Sequence, residues 1–174
     1  VEYQQQLVDL RKRSGVARID LARAHVRLGN LSVEIDSHER AVESFRLAAG
    51  EFRSLAGDSA GQPTNDLELA NCLRALANSL NQSGQSAEAE QTAVQSVEIL
   101  EQLLRADTKS MPARTALADL RSMQSWYARA AGRFDEAESF ARMAIDEWGI
   151  LAKERPNDPV TLSHWSYAQS QLGR

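Results

Sequence analysis

The chain has 174 residues, 43% of them hydrophobic and 25% charged, which suffices for one sizeable folded domain. Its net charge of -4 and pI near 5.4 argue against a general nucleic-acid binder, which needs surplus lysine and arginine. One cysteine excludes an intramolecular disulfide framework and a multi-cysteine zinc site, and no apolar run is long enough to span a bilayer. The first residues do not form a signal peptide and lack an initiating methionine, so we expect part of a longer, cytoplasmic protein.

The sequence matches itself at a constant shift, the one that superposes Leu7 on Leu55. The superposed residues include a leucine set (Leu7, Leu55, Leu103, Leu151), an alanine set (Ala41, Ala89, Ala137) and a turn position (Asp36, Gly84, Gly132). This period predicts a single domain of three repeats, 15–62, 63–110 and 111–158, with half-repeats at 1–14 and 159–174.

Each repeat is predicted to contain two helices. The N-terminal half-repeat gives a lone helix of the second type at 2–13. The pairs that follow are 15–34 with 37–56, 64–82 with 86–106, and 112–131 with 134–154, before a final helix at 159–173. Residues 56–61 read as the longest loop.

Local signals support these helices. Leu69, Leu73, Leu76 and Leu80 step by three or four residues and form one apolar face. Gly84 can adopt the positive φ of a helix C-cap, and Ser86 is predicted to cap the next helix. Asp158 precedes a proline, which predicts a capped helix start; Pro63 and Pro112 indicate helix starts in the same way.

The first helix of the third repeat fits this grid poorly. Arg121 and Gln124 fall on core positions, whereas a shift of one residue brings Leu120, Met123 and Tyr127 there instead. We therefore expect a one-residue insertion near 127–132.

The pattern within the repeats resembles the tetratricopeptide repeat (TPR). Leu28-Gly29 is followed twelve residues later by Ala41 and then by Phe45, and Leu76-Ala77 is followed by Ala89 at the same distance. The resemblance implies an all-α fold, an α-α superhelix of antiparallel helix pairs. The period of about 48 exceeds the family's usual value of about 34. The usual proline is replaced by Arg53, Glu101 and Gly149, so the second helix can continue.

Such long repeats look similar to those that follow the kinase domain in some bacterial serine/threonine kinases and to those of kinesin light chains. The resemblance implies an interaction module whose first helices line the concave surface. Transferred by position, the predicted partner-binding residues are Arg23, Asn30, Asn71, Arg74, Asn78, Asn81, Trp126 and Arg129, with Val26, Val33, Asp119 and Ser122 beside them.

Two features favour a binding surface here. Asparagine is a poor helix former, yet an amide can donate to and accept from a peptide backbone. The three first helices sum to +2 and the three second helices to -7, which favours a partner segment bearing carboxylates. A merely solvated polar face is the alternative.

The sequence offers no recognisable catalytic or cofactor motif. His25 is expected to pack in the core, and His38 to lie in a solvated first turn. Cys72 reads as a small buried hydrophobe, and Trp148 and Trp165 as core residues. We therefore predict no enzyme, no cofactor and no metal site.

The predicted function is a protein-protein interaction scaffold that binds a protein or peptide, with no nucleic acid and no membrane as partner. A structural spacer or oligomerisation element, and more remotely a ligand-binding sensor, are the alternatives. Apolar residues near the ends also predict end-to-end self-association; they are Tyr3, Leu7, Leu10, Val160, Tyr167 and Leu172.

Overall fold

A computed structural model describes residues 2–58 and 63–172, with side chains described for 15–55 and 64–172. All regular secondary structure in these ranges is helical, which confirms the predicted all-α class. The helices are α1 (Glu2–Glu34), α2 (His38–Asp58), α3 (Pro63–Gln82), α4 (Ser86–Ala106), α5 (Met111–Ala130), α6 (Phe134–Glu154) and α7 (Pro159–Ser170). Neighbouring helices pack in successive pairs, as in a helical repeat protein.

The helix bounds confirm the period read from the sequence. The second helices α2, α4 and α6 begin at 38, 86 and 134 and end at 58, 106 and 154, so both bounds recur at that period. The first helices α3 and α5 recur in the same way. Because no proline interrupts them, the second helices continue past Arg53, Glu101 and Gly149 as predicted.

The turn inside each repeat has one geometry. Asp36, Gly84 and Gly132 have φ values of 58°, 80° and 75°. After Gly84, the amide of Gln85 donates to the Leu80 carbonyl at 2.8 Å, and the other two turns repeat this bond. Aspartate tolerates the left-handed conformation better than most residues, so Asp36 can replace glycine there.

The predicted capping role of Ser86 is wrong. Ser86 is already the first residue of α4, and its hydroxyl donates to Asn81 Oδ1 at 3.3 Å instead of capping the helix that it begins. The amide of Ala89 bonds to the Gln85 carbonyl, which places the start of the helical hydrogen bonds one residue earlier.

The predicted break between helices at 2–13 and 15–34 is also wrong, because α1 is continuous from Glu2 to Glu34. Gly15 weakens an interior helix by only about 1 kcal/mol relative to alanine, and no proline enforces a stop. Gly15 is the counterpart of the first residues of α3 and α5, so α1 starts well before the repeat pattern requires. This extension adds about 20 Å of helix.

The insertion predicted in the third repeat does not exist. Ala118 and Gly132 keep the spacing of Ala70 and Gly84, and the residues one repeat after Leu76, Ala77 and Leu80 are buried; they are Gln124, Ser125 and Ala128. Leu120 and Tyr127 are buried as well, because α5 buries a broad face rather than a narrow stripe. Arg121 is tolerated at a leucine position because its guanidinium lies 2.9 Å from Glu101 Oε1.

The helices form two compact units, Val1–Thr92 and Ala93–Arg174, whose boundary lies inside α4. In the first unit α2 packs against both α1 and α3. In the second unit α6 packs against both α5 and α7, around a cluster that contains Ala118, Ala144, Trp148, Leu151 and Ala168. The predicted core placement of Trp148 is confirmed, and Trp165 is partly buried against the same cluster.

Gly29 lies where α1 packs closely against Phe45 of α2. A Cβ at this position would lie 2.6 Å from the buried ring of Phe45, so only glycine fits beside this ring. In the second unit the residues at the equivalent repeat positions are Ser125 and Ala141. There the first helix carries a residue larger than Gly29, and the second helix carries a residue smaller than Phe45.

Asp158 caps α7 as predicted. Its carboxylate accepts from the amides of Val160 and Thr161 and from the Thr161 hydroxyl, the last at 2.6 Å. The Thr161 hydroxyl, followed by the two amides, holds the pKa of Asp158 below its usual range.

We expect Asp158→Asn to remove part of the acid sensitivity of the second unit. Because the folded pKa is depressed, the carboxylate stabilises α7 fully above the unfolded pKa and loses this effect as the pH falls through the folded pKa. Thermal unfolding followed by circular dichroism should show a smaller fall in the midpoint below pH ~4 for the variant than for the wild type. Equal acid sensitivity of the two proteins would contradict the assignment.

The predictions of exposed apolar residues near the ends and of a loop at 56–61 are confirmed only in part. Val160, Tyr167 and Leu172 are exposed, as expected. Tyr3, Leu7 and Leu10 lie outside the described side chains. The predicted loop at 56–61 is helical through Asp58, and its remainder lies outside the described residues.

Candidate functional site

The first unit contains a cavity of about 350 Å³ on the side where α1 and α3 face each other. It is lined by Arg23, Val26, Arg27, Asn30, Phe52, Glu68, Asn71, Cys72, Arg74 and Ala75. Four of the eight predicted partner-binding residues therefore share one cavity: Arg23, Asn30, Asn71 and Arg74. They come together because positions one repeat apart lie on the same face of successive first helices.

An ion pair connects the two walls of this cavity. Arg23 Nε lies 3.0 Å from one carboxylate oxygen of Glu68, and Arg23 Nη2 lies 2.5 Å from the other. The hydrogen bonds that Arg23 donates to Glu68, and then the charge of Glu68, raise the pKa of Arg23. This two-pronged contact holds Glu68 inside the lining, where Arg27 and Arg74 add two more positive charges.

The floor of the cavity is apolar. Phe52 of α2 and Cys72 of α3 are almost fully buried, which confirms the reading of Cys72 as a small buried hydrophobe. The Cys72 thiol donates to the Phe45 carbonyl at 3.4 Å, and burial raises its pKa to about 12. The cavity thus combines an apolar base with a charged and amide-bearing rim, as ligand sites commonly do.

The other predicted residues lie elsewhere. Asn78 and Asn81 follow on α3, half-buried and outside the cavity lining, and Asn81 accepts the Ser86 hydroxyl at the turn. In the second unit Trp126 is 45% exposed with its ring edge against Tyr127, and Arg129 donates to the Gln171 carbonyl. The structure does not bring these four residues to the described cavity.

The second unit repeats the connection between first helices. His164 Nδ1 lies 3.3 Å from Asp119 Oδ1, which links α7 to α5. Asp119 and His164 occupy the repeat positions of Arg23 and Glu68, two periods further on, with the acidic partner on the opposite helix. The same repeat positions therefore connect successive first helices within both units.

Two residues that connect first helices were missed at the sequence level, Glu68 in the cavity lining and His164 in the second unit. The signal that could have found them is a spacing: 45 residues separate Arg23 from Glu68, and Asp119 from His164, with complementary groups in both pairs. Arg27 was also missed, because it follows Val26 by one residue and so falls beside the positions transferred from the family.

Of the two histidines whose environments were predicted, His25 agrees with the structure and His38 does not. His25 is half-buried, in keeping with packing. The prediction of a solvated first turn for His38 is wrong, because only 21% of its side chain is exposed and Nε2 lies 3.0 Å from Asp36 Oδ1. Folding the turn back at the positive-φ Asp36 brings this carboxylate next to the ring.

Membrane spans and metal clusters are both missing from the described ranges. No helix there combines the length and apolar character needed to cross a bilayer. Within residues 2–58 and 63–172, no group of three histidine, cysteine, aspartate or glutamate side chains is placed to hold a metal ion.

Comparison with known proteins identifies no family. No family model and no curated protein matches the chain. A solved structure described as "DHF79 filament" is similar, with 18% sequence identity and a TM-score of 0.48, covering 95% of this chain and 86% of that one. A likeness of this strength carries no conclusion about function.

Proposed function

We propose that the chain is a non-enzymatic interaction module of the tetratricopeptide type that binds a carboxylate-bearing segment of a partner protein. The observation that carries this proposal is the cavity between α1 and α3. Its rim holds three arginines, Arg23, Arg27 and Arg74, and a single carboxylate, Glu68. The sequence resemblance to arrays that follow kinase domains makes a regulatory protein the context that we propose.

The chemistry of the rim favours a carboxylate over a cation or a purely apolar ligand. Guanidinium groups bind carboxylates with two parallel hydrogen bonds, and Glu68 already shows this mode with Arg23. The amides of Asn30 and Asn71 can satisfy a peptide backbone on both its donor and acceptor groups. Phe52 supplies apolar surface for a neighbouring side chain.

A structural spacer is the second candidate. It is favoured by the recurring links between first helices, Arg23 with Glu68 and Asp119 with His164, which connect these helices within each unit without any ligand. The two functions differ in one measurable respect, since a spacer needs no affinity for a peptide.

The test is selection from a displayed random peptide library, followed by titration of the selected peptides. We expect enrichment of aspartate and glutamate, and a loss of at least about tenfold in affinity with Asn71→Ala/Arg74→Ala. Affinity should also fall with added salt, since the rim charges are exposed to screening. Asn78→Ala, tested separately, measures whether the binding surface extends along α3.

The matched control is Arg142→Ala/Asn157→Ala, which removes the same residue types from exposed positions on the second unit. It should bind like the wild type. Both variants should keep the helicity of the wild type. Failure to select any peptide, or equal affinity for the cavity variant and the control, would reject the cavity as the site and favour the spacer.

A further inference from the structure

An apolar stripe on α1 is uncovered in the described residues. Leu21, Leu28 and Leu31 are 47%, 52% and 57% exposed, and Ile35 at the end of the helix is 70% exposed. Ala17, which precedes Leu21, and Ala24, which lies between Leu21 and Leu28, are exposed on the same face. These six residues, here called the α1 stripe, alternate steps of four and three residues, which is the spacing of a coiled-coil seam rather than of a broad core-facing surface.

The equivalent face of the later first helices is covered. Cys72 occupies the position of Ala24 one repeat on, and its thiol contacts the Phe45 carbonyl of α2. Ala168 occupies it three repeats on, and belongs to the cluster that α6 supplies with Ala144, Trp148 and Leu151. In each case a second helix covers the face, whereas α1 packs against α2 with a different side.

The occupant that we argue for is a second α1 helix, supplied by a second copy of the chain. The described stripe has the spacing of a coiled-coil seam, and its residues and their neighbours complement one another in size and charge when two copies pair.

Size and charge define one arrangement of two copies. If two α1 helices run antiparallel with Leu21 beside Ala24 of the second copy, then Ala17 lies beside Leu28, and both layers pair a small residue with a large one. The same register places Asp20, exposed beside the stripe, next to the exposed Arg27 of the second copy, twice by symmetry. Parallel helices would instead pair alanine with alanine and leave voids.

We propose that the α1 stripe is a homodimerisation surface on which two copies of the chain pair through antiparallel α1 helices. The pairing buries an apolar surface that would otherwise face water, and the two Asp20–Arg27 contacts fix its register. This surface is separate from the lining of the α1–α3 cavity, apart from Arg27 at its edge.

The first test is the mass of the intact chain in sedimentation experiments over a wide concentration range. We expect a dimer of twice 19.2 kDa for the wild type. Leu28→Asp should raise the dimer dissociation constant by at least about 100-fold, because it buries a charge in the seam. The matched control is Leu47→Asp on α2, a leucine that is equally exposed at 52%, and it should leave the dimer intact.

The second test addresses the register. Asp20→Arg alone and Arg27→Asp alone place like charges together at both contacts, and each should weaken its homodimer by about tenfold. A one-to-one mixture of the two variants restores opposite charges at both contacts, so it should form a heterodimer with wild-type affinity. Circular dichroism checks that each variant stays helical.

Every outcome bears on the proposal. A strict monomer at high concentration, or a dimer that Leu28→Asp leaves unchanged, overturns the stripe as the interface. A dimer that Tyr167→Glu dissociates instead indicates end-to-end association through α7. A mixture no tighter than the separate variants overturns the antiparallel register.

Discussion

Leu76→Asp is expected to destabilise the first unit by about 4 kcal/mol or more, because it buries a carboxylate without a partner. Leu76 is 5% exposed in the middle of α3. Urea titration followed by circular dichroism measures the loss. A denaturation midpoint close to that of the wild type would show that the face of α3 that we place in the core is not buried.

The chain offers a control for this change at the same repeat position. Leu28 precedes Leu76 by one period but is 52% exposed. At concentrations where the chain is monomeric, Leu28→Asp should change the free energy of unfolding by less than about 1 kcal/mol. The comparison holds residue type and repeat position constant, so it isolates the effect of burial.

Gly29→Ala is expected to destabilise the protein by about 2–3 kcal/mol, against the usual benefit of alanine in a helix. The added methyl would overlap the Phe45 ring, whose three nearest atoms lie 2.6–2.8 Å from it. The control is Gly50→Ala on α2, where an added Cβ meets nothing within 4 Å and should stabilise by up to about 1 kcal/mol.

A double-mutant cycle shows whether the ring is the cause. Phe45→Ala alone leaves a cavity and should cost about 3–5 kcal/mol. In that background Gly29→Ala should be neutral or stabilising, because alanine at position 45 leaves room for the added methyl, as Ala141 does at the equivalent position of the second unit. If Gly29→Ala costs the same in both backgrounds, the Phe45 ring is not responsible and helix packing must be constrained elsewhere.

The helices could be predicted well from the sequence because the same boundary signals recur at equivalent positions in each repeat. Asp36, Gly84 and Gly132 mark the same turn, and the second helices carry no proline that could shorten them. Asp158 shows the same for a local signal, since a capping carboxylate before a proline needs no tertiary information. These features depend on residues that are close in sequence.

The features that could not be predicted depend on residues far apart in sequence or on a helix that continues where a turn was expected. Arg121 looked like a misfit because its partner Glu101 lies 20 residues away on the preceding helix. Glu68 became part of the cavity through Arg23, which is 45 residues earlier. The exposure of Leu28 could not be predicted, because the repeat pattern implies a separate helix at 2–13 that would cover it. In the structure these residues instead continue α1 without a turn.

The position of Cys72 allows thiol labelling to report on the packing around the cavity. The thiol is the single cysteine of the chain, is 2% exposed in the cavity floor and has its pKa raised to about 12. Almost none of it is thiolate at neutral pH while the helices stay packed. Reaction with a thiol reagent is therefore slow while the helices stay packed, and the labelling rate of the unmodified protein reports local opening around the cavity floor.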